Sequence, residues 1–214
     1  HRVDKILAEG DIFFSNIKPG SLVLLLCQNQ YETVFFYINA IERGVIPIMI
    51  DAKSDASLLS KLILEYKPDY IFSPSIKYTQ FENYLLCNNL RNYSLFKNDK
   101  ESEIKLNHEL ALLMSTSGTT GSPKLVRLSY QNLVSNASSI SEYLHLNSSE
   151  TAISTLPINY SFGLSIINSH LLVGGSVVIT MEGITQRKFW DLFNIFKVTS
   201  LSGVPYTFEI LKKF

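Results

Sequence analysis

Short apolar runs alternate with longer amphipathic segments along almost the whole chain. Seven of the short runs are continuous and aliphatic or β-branched, as strands covered on both faces should be. The predicted strands are 22–26, 45–50, 70–73, 110–115, 152–156, 176–180 and 199–203. The segments long enough for helices are 31–43, 57–67, 130–144, 162–173 and 187–196. This alternation predicts an α/β fold of layered parallel β-sheets flanked by helices.

Residues that typically cap or end helices lie at the ends of these segments, which supports the predicted helix boundaries. Gly44 is placed to end one helix, Asp55 to cap the next, and the Gly174–Gly175 pair to end a helix near Val173. Residues 74–107 are polar and poorly periodic, which predicts a seam between two lobes, 1–106 and 107–214. The helix that Pro205 opens is unfinished or barely finished at the chain end, and the first residue is not Met, so we expect a piece of a longer protein.

Composition narrows the possible partners. The chain is 46% hydrophobic and carries 19 basic and 19 acidic residues, with no run of five or more like charges. We therefore expect a folded core, and neither a nucleic-acid groove nor a basic membrane anchor. Asn168, His170 and Gly174 interrupt the long apolar stretch near the C-terminus, so no membrane span is predicted. The two cysteines are widely separated, which favours a reducing compartment, the cytoplasm.

The sequence gives little indication of a metal site or of a nucleophilic residue. The four histidines are scattered without ligand spacing, so no metal site is predicted, and His170 is interpreted as a core or pocket-edge residue. Aromatic residues near 190 fall at helical spacing and are predicted to fill the core. They are Phe189, Trp190, Phe193 and Phe196.

The polar segment 115–124, STSGTTGSPK, stands out between two apolar runs. Lys124 has the P-loop offset from Gly118, but Pro123 and Leu125 replace the glycine and hydroxyl residue that the P-loop requires. The following LVRLS is β-like, so the order is strand, loop, strand rather than strand, loop, helix. Loop amides, hydroxyl groups and the lysine could together hold phosphate. A flexible surface hairpin would explain the composition but not the lysine after a proline.

The segment TSGTTGSPK (116–124) resembles the phosphate-binding signature of the adenylate-forming ligase superfamily, which includes acyl-CoA synthetases. Three weaker segments agree in family order. They are residues 27–51, LPINYSFGLS (156–165) and LSGVPYTFEIL (201–211). The resemblance covers nearly the whole chain and identifies it as a partial N-terminal domain of an acyl-CoA synthetase-like protein.

The resemblance implies ATP-dependent activation of a carboxylic acid to an acyl-adenylate, with release of pyrophosphate. Transfer to a thiol of coenzyme A or a carrier protein would follow, with ATP and Mg²⁺ as cofactors. The implied phosphate-binding residues are Thr116, Ser117, Gly118, Thr119, Thr120, Gly121 and Lys124. Asn159, Tyr160 and Gly163 are the implied substrate-pocket residues. No catalytic residue and no metal ligand is implied within the chain.

Departures from the family pattern support an alternative. Leu125 replaces the usual Gly, Tyr130 replaces a later His, and Tyr160 replaces the His of the second signature. Tyr160 is interpreted either as a pocket residue or as a half-buried aromatic at a helix start. The acidic magnesium motif, the ribose-binding segment and the C-terminal lid are expected beyond Phe214, so the chain alone is expected to be inactive. The alternative is a noncatalytic binding or assembly module that retains the fold.

Overall fold

The computed structural model describes residues 2–75, 81–100, 106–115 and 124–213. The chain forms two compact units, His1–Tyr130 and Gln131–Phe214. Sequence analysis placed the boundary after residue 106. The structure places it after Tyr130 instead, because the strands on either side of the polar segment belong to the sheet of the first unit.

The described residues of the first unit form three helices and seven strands. The helices are α1 (Val3–Phe13), α2 (Tyr31–Glu42) and α3 (Ala56–Tyr66). The strands are β1 (Leu22–Cys27), β2 (Ile46–Asp51), β3 (Tyr70–Pro74), β4 (Tyr84–Leu90), β5 (Tyr93–Asn98), β6 (Leu110–Ser115) and β7 (Leu125–Ser129).

All seven strands form one sheet in the order β4, β5, β3, β1, β2, β6, β7. The inner strands β3, β1, β2 and β6 are parallel, which confirms the predicted α/β fold with a mostly parallel sheet. The pairs β3–β5, β4–β5 and β6–β7 are antiparallel. Both edges of the sheet are therefore antiparallel additions to a parallel centre.

Each face of the sheet packs against helices. Alternate β1 and β2 side chains such as Leu24 and Ile48 form a cluster with Leu59 and Leu62 of α3. On the aromatic side, Phe36 of α2 stacks on Phe72 of β3 with ring centroids 4.6 Å apart. Since β1 is covered on both faces, its sequence is continuously apolar rather than alternating.

The predicted helix boundaries in this unit are confirmed. The side chain of Asp55 accepts a hydrogen bond from the Leu58 amide at 2.8 Å at the start of α3. Gly44 adopts φ +66° after α2, a left-handed conformation that glycine tolerates best. Helix α1 was not predicted.

The buried side-chain amide of Asn39 links helix α1 to α2 by hydrogen bonds. Asn39 Nδ2 donates to the carbonyl oxygens of Ile6 at 3.2 Å and Phe35 at 2.9 Å. Arg43 donates to Asn39 Oδ1 at 2.7 Å and to the Leu7 carbonyl oxygen at 2.9 Å. The two helices thus share a fully satisfied polar network inside an otherwise apolar contact.

In the second unit, the part that the structure describes forms four helices and three strands. The helices are α4 (Tyr130–Tyr143), which begins at the last residue of the first unit, α5 (Ser161–Leu172), α6 (Arg187–Ile195) and α7 (Pro205–Leu211). The strands β8 (Thr151–Ser154), β9 (Ser176–Ile179) and β10 (Ser200–Leu201) form a parallel sheet in the order β10, β8, β9. Gly174 has φ +76° just beyond α5, which confirms the predicted end of that helix.

The aromatic residues of α6 do not all enter the core. Phe189 is fully buried with Ile153, Ile184 and Val198. Phe196 is 53% exposed, so its predicted core position is wrong. It lies beyond the last turn of α6, where the helical spacing no longer turns a side chain toward the sheet.

The polar region 74–107, which was predicted to be a seam without strands, contains the antiparallel β4–β5 hairpin at the edge of the sheet.

No membrane span was predicted. Among the helices in the described part of the chain, none has the length and apolar character that crossing a membrane requires.

Candidate functional site

The strands on either side of the polar segment form an antiparallel pair. Strands β6 and β7 pair antiparallel, and the last residue of one, Ser115, is opposite the first residue of the other, Leu125. Lys124 directly precedes β7. Six of the predicted phosphate-binding residues lie outside the described residues, and these are Thr116, Ser117, Gly118, Thr119, Thr120 and Gly121. The structure thus fixes both ends of the predicted loop.

β6 ends and β7 begins at the carboxyl ends of the parallel strands. β6 is in register with β2, with Ile48 opposite Leu113 and Met49 opposite Met114. Because these strands are parallel, the carboxyl ends of β1, β2 and β6 lie along one edge of the sheet. Open α/β sheets bind ligands in crevices at this edge.

The charge of the hairpin suits an anion. Residues 110–129 include Lys124 and Arg127 and contain neither Asp nor Glu. Lys124 is exposed and directly precedes Leu125, the residue opposite Ser115 on the paired strand. Charge-assisted hydrogen bonds to phosphate are short and are about twice as strong as neutral ones. The ammonium group of Lys124 is therefore suited to an anionic ligand.

Leu125, one departure from the family signature, has a structural role. Its side chain is partly buried and packs against the core cluster formed by β1, β2 and α3. A glycine could not make this contact. The leucine therefore strengthens the attachment of β7 at the edge of the sheet.

The second predicted group lies at the start of α5. Tyr160 is the residue before the helix, has extended backbone angles, and is 50% exposed. Its amide donates to the Pro157 carbonyl oxygen at 3.0 Å, and its own carbonyl accepts from Leu164 at 2.9 Å. Asn159 belongs to the same turn, so Asn159 and Tyr160 are held by backbone bonds at the carboxyl side of β8.

Gly163 is explained by packing. A Cβ atom at this position would lie 2.2 Å from the Pro157 carbonyl oxygen and 2.9 Å from that of Leu156. The first turn of α5 therefore rests directly on the backbone of the preceding loop. Its predicted place in a substrate pocket stays a prediction, as do those of Asn159 and Tyr160.

His170 is a buried structural residue, as sequence analysis proposed. Its Nδ1 atom lies 2.8 Å from the Ile166 carbonyl oxygen, which can only accept. The ring therefore donates from Nδ1, and Nε2, which lies 3.2 Å from Ser200 Oγ, would accept from that hydroxyl in the Nδ1–H tautomer. Sequence reasoning did not identify Ser200, since nothing in the local pattern links it to a histidine on α5.

Cys27 and Asp51 end adjacent strands at the carboxyl edge but show no sign of reactivity. Burial raises the pKa of the Cys27 thiol well above its ordinary value. Asp51 accepts a hydrogen bond from the Lys53 amide at 2.8 Å, so it stabilises a turn. Neither group is prepared to act as a nucleophile or base.

The described residues do not provide a metal centre of their own. Within residues 2–75, 81–100, 106–115 and 124–213, no three His, Cys, Asp or Glu side chains come together as ligands. No chemical step is therefore assigned to a metal held by these residues.

Comparison with curated proteins finds CoA ligases. The 4-coumarate–CoA ligase-like 6 of Arabidopsis thaliana is 23% identical over 230 residues, covering 97% of this chain and 41% of that protein. The sulfoacetate–CoA ligase of Cupriavidus necator is 43% identical over 96 residues, covering 44% of this chain and 19% of that protein. The chain spans less than half the length of these relatives.

Solved structures share the fold over nearly the whole chain. The o-succinylbenzoate CoA synthetase of Bacillus subtilis, in complex with an acyl-adenylate intermediate, matches with a TM-score of 0.79 and 22% identity. That match covers 99% of this chain and 56% of the other. The same enzyme in complex with ATP and a magnesium ion matches with a TM-score of 0.71 and 19% identity, over 98% of this chain and 57% of the other.

The family assignment rests on a match along the chain. The family model described as AMP-binding enzyme matches residues 13–213, from the end of α1 to beyond α7. That range includes the β6–β7 hairpin and the turn before α5. The chain therefore belongs to the AMP-binding enzyme family.

Proposed function

We propose that the protein containing this chain activates a carboxylic acid with ATP and then transfers the acyl group to a thiol. The first step forms an acyl-adenylate and releases pyrophosphate. The second forms a thioester with coenzyme A or a carrier protein and releases AMP. The CoA ligases among the relatives favour coenzyme A as the acceptor.

The observation that carries the proposal is the position of the two strands that flank TSGTTGSPK in the sequence. β6 ends at Ser115 and β7 begins at Leu125, and these paired strand ends lie at the carboxyl ends of the parallel strands. A hairpin that carries Lys124 just before β7 and contains no Asp or Glu attracts anions. Its two strands belong to the seven-stranded sheet, which holds them rigidly. A loop that binds the β- and γ-phosphates needs such an attachment, because the leaving pyrophosphate must be held in line.

The chain's own residues would act by positioning and by charge. When the carboxylate oxygen attacks the α-phosphorus, the bond from that phosphorus to the β-phosphate bridging oxygen breaks. Negative charge then grows on the departing pyrophosphate. Lys124 and the hydroxyl and amide groups of residues 116–121 would stabilise it with hydrogen bonds that need no reorganisation. None of these groups forms a covalent bond to the substrate.

We propose that the turn before α5, in the second unit, contributes to a substrate pocket. Tyr160 offers an aromatic ring and a hydroxyl group, half exposed, on a backbone that Gly163 holds tightly against the preceding loop. Magnesium would accompany the phosphates of ATP, since it commonly uses substrate oxygens together with few protein carboxylates. We propose the cytoplasm as the location, because Cys27 and Cys87 are both free thiols.

Acid-dependent exchange of pyrophosphate into ATP tests the proposal. The full-length protein is assayed against a panel of aliphatic, aromatic, dicarboxylic and amino acids. We expect exchange with one chemical class, and a fall of about 10- to 1,000-fold in Lys124→Ala, as for loss of a charge-stabilising group. Arg127→Ala is the matched control, because it removes the same charge from the same hairpin at a position three residues away.

The outcomes separate the two candidate functions. Exchange that falls in Lys124→Ala and persists in Arg127→Ala supports adenylation and identifies the acid. No exchange with any acid, from a folded full-length protein, contradicts adenylation. That result would favour the noncatalytic binding or assembly module, for which the departures at Leu125, Tyr130 and Tyr160 are the support.

A further inference from the structure

The two faces of the three-stranded sheet are covered by different helices. Neighbouring residues of a strand project to opposite faces. On β10, Leu201 packs against the cluster that includes Phe189 of α6 and Ile210 of α7. The preceding residue, Ser200, instead lies beside α5, with its Oγ atom 3.2 Å from His170 Nε2. Helices α6 and α7 therefore cover one face of the sheet, and α5 covers the other.

Strands β8 and β10 consequently lead the chain to opposite faces. They are adjacent and parallel, with Ile153 opposite Leu201. After β8 the chain passes through residues 155–160 into α5, and after β10 it passes through residues 202–204 into α7. Open α/β sheets bind ligands in the crevice between two such connections, outside the carboxyl ends of the strands. This rule places a ligand crevice of the second unit between residues 155–160 and 202–204.

The two connections that border this crevice carry no charge. Residues 151–181 and 198–208 contain no Asp, Glu, Lys or Arg, and His170, which lies in the first range, is buried. The connection that follows β9 contains Glu182, but its carboxylate is paired with Lys188 at 2.6 Å. A charged group on a ligand would therefore find no oppositely charged side chain on either border of the crevice.

The large side chains exposed beside the crevice are aromatic or aliphatic. Tyr160 ends the first connection and is half exposed, and Phe162 in the first turn of α5 is 37% exposed. Val204 ends the second connection, Tyr206 follows in the first turn of α7, and both are exposed. Aromatic rings bury large apolar areas and stack on other rings, whereas a charge buried without a partner is costly. These borders therefore favour a ligand whose body is apolar.

We propose that the carboxylic acid activated by the protein has an uncharged, apolar body, so that its only charge is the carboxylate that reacts. An amino acid would bring an ammonium group, and a dicarboxylic acid a second carboxylate, to borders that offer no counterion. This inference rests on the proposed function and narrows its substrate to apolar monocarboxylic acids.

Matched acids in the pyrophosphate exchange assay of the full-length protein test the proposal. Each apolar acid is compared with analogues that add one charge to the same skeleton. Octanoate is compared with aminooctanoate and suberate, and phenylpropionate with phenylalanine and benzylmalonate. We expect kcat/KM for the preferred apolar acid to exceed that of its charged analogues by at least about 100-fold, because the added charge has no partner.

Tyr160→Lys tests the crevice itself. The new ammonium group supplies a counterion, so the preference for the apolar acid over its dicarboxylic analogue is expected to fall at least about tenfold. Tyr143→Lys is the matched control, because Tyr143 is an exposed tyrosine at the end of α4 in the same unit, and its preference should equal that of the wild type. A merely structural role of Tyr160 would lower both rates together. An unchanged ratio in Tyr160→Lys would therefore contradict this crevice as the substrate site.

The outcomes separate this inference from the proposed function. Faster exchange with an amino acid or a dicarboxylic acid than with the apolar analogue would overturn the inference and leave adenylation standing. No exchange with any acid would contradict adenylation. Calorimetric titration with the same acids requires no turnover, so it would then show whether the protein still binds the apolar acids more tightly. The absence of such a preference would overturn the inference as well.

Discussion

The side-chain amide of Asn39 occupies the space that a side chain on Gly10 would need. A Cβ atom on Gly10 would lie 1.7 Å from Asn39 Oδ1 and 2.4 Å from its Cγ. The amide cannot move away easily, because it donates to the carbonyl oxygens of Ile6 and Phe35. The close approach of α1 to α2 therefore requires both a residue without a side chain and a fixed amide.

Gly10→Ala is expected to lower the free energy of unfolding by roughly 1 to 3 kcal/mol, the usual cost of overpacking a buried contact. Urea denaturation measures the change. Ile12→Ala on the same helix is the control, because the Ile12 side chain is largely exposed and its loss should be nearly neutral. Equal stability of Gly10→Ala and wild type would contradict the close packing of α1 on α2.

Gly163→Ala is expected to destabilise the second unit by about 1 to 3 kcal/mol, since the new methyl group meets backbone oxygens that cannot rotate away. Hydrogen exchange of the α5 amides, followed by mass spectrometry, measures the local change. Gly183→Ala is the matched control, because its Cβ would meet nothing closer than Gln186 Oε1 at 3.6 Å. Faster exchange in both variants would show that the effect is not specific to this turn.

Ser200→Ala removes the donor to His170 Nε2 and leaves a buried acceptor unsatisfied. We expect a loss of roughly 1 to 3 kcal/mol in the free energy of unfolding. Ser165→Ala, whose exposed hydroxyl donates to the Phe162 carbonyl oxygen, is the control and should change little. Nitrogen NMR of the imidazole checks the assignment directly. A proton on Nε2 in the wild-type protein would contradict the tautomer inferred from the Ile166 contact.

Leu125→Gly restores the residue that the family signature usually has and tests why this chain differs. We expect a loss of about 1 to 3 kcal/mol, because the variant removes a core contact and adds backbone freedom. Val126→Gly is the matched control, since Val126 is the next residue of β7 and is 44% exposed. If both substitutions cost the same, the contact of Leu125 with the core would be unimportant for stability.

The Cys27 thiol makes stability depend on pH. Burial raises its pKa in the folded state, so the unfolded chain loses this proton first as the pH rises above the ordinary value of 9.0. Below that pH both states keep the proton and no penalty arises. Above it, stability should fall by up to about 1.4 kcal/mol per pH unit for this one group. The difference between wild type and Cys27→Ala in urea titrations isolates this contribution from those of the tyrosines, and a constant difference would contradict it.

The parallel centre of the sheet was predictable because β1 and β2 lie under helices on both faces. Such strands must be continuously apolar, and that pattern is visible without a structure. The β4–β5 hairpin was missed for the opposite reason. Most of β4 is exposed and a bulge interrupts its alternation, so its sequence resembles a polar loop.

The candidate site was predictable where its chemistry is local. The motif around Lys124 is contiguous, so its residue types and spacing were sufficient to propose phosphate binding. The contact of Gly163 with Pro157, and that of His170 with Ser200, depend on how the chain folds back on itself. Leu125 is similar, since the core cluster against which it packs is assembled from several strands and a helix when the chain folds.

The position of β6 in the sheet has a consequence for folding order. β6 pairs with β2, but β3, β4 and β5 come between them in the chain. During synthesis, β1, β2 and β3 are complete well before β6, and closing this long loop carries an entropic cost that slows the step. The β6–β7 hairpin, in which Ser115 lies opposite Leu125, is therefore expected to be the last part of the first unit to form. Nascent chains that end before β6 would expose the apolar edge of β2, where chaperones could bind and where aggregation would begin.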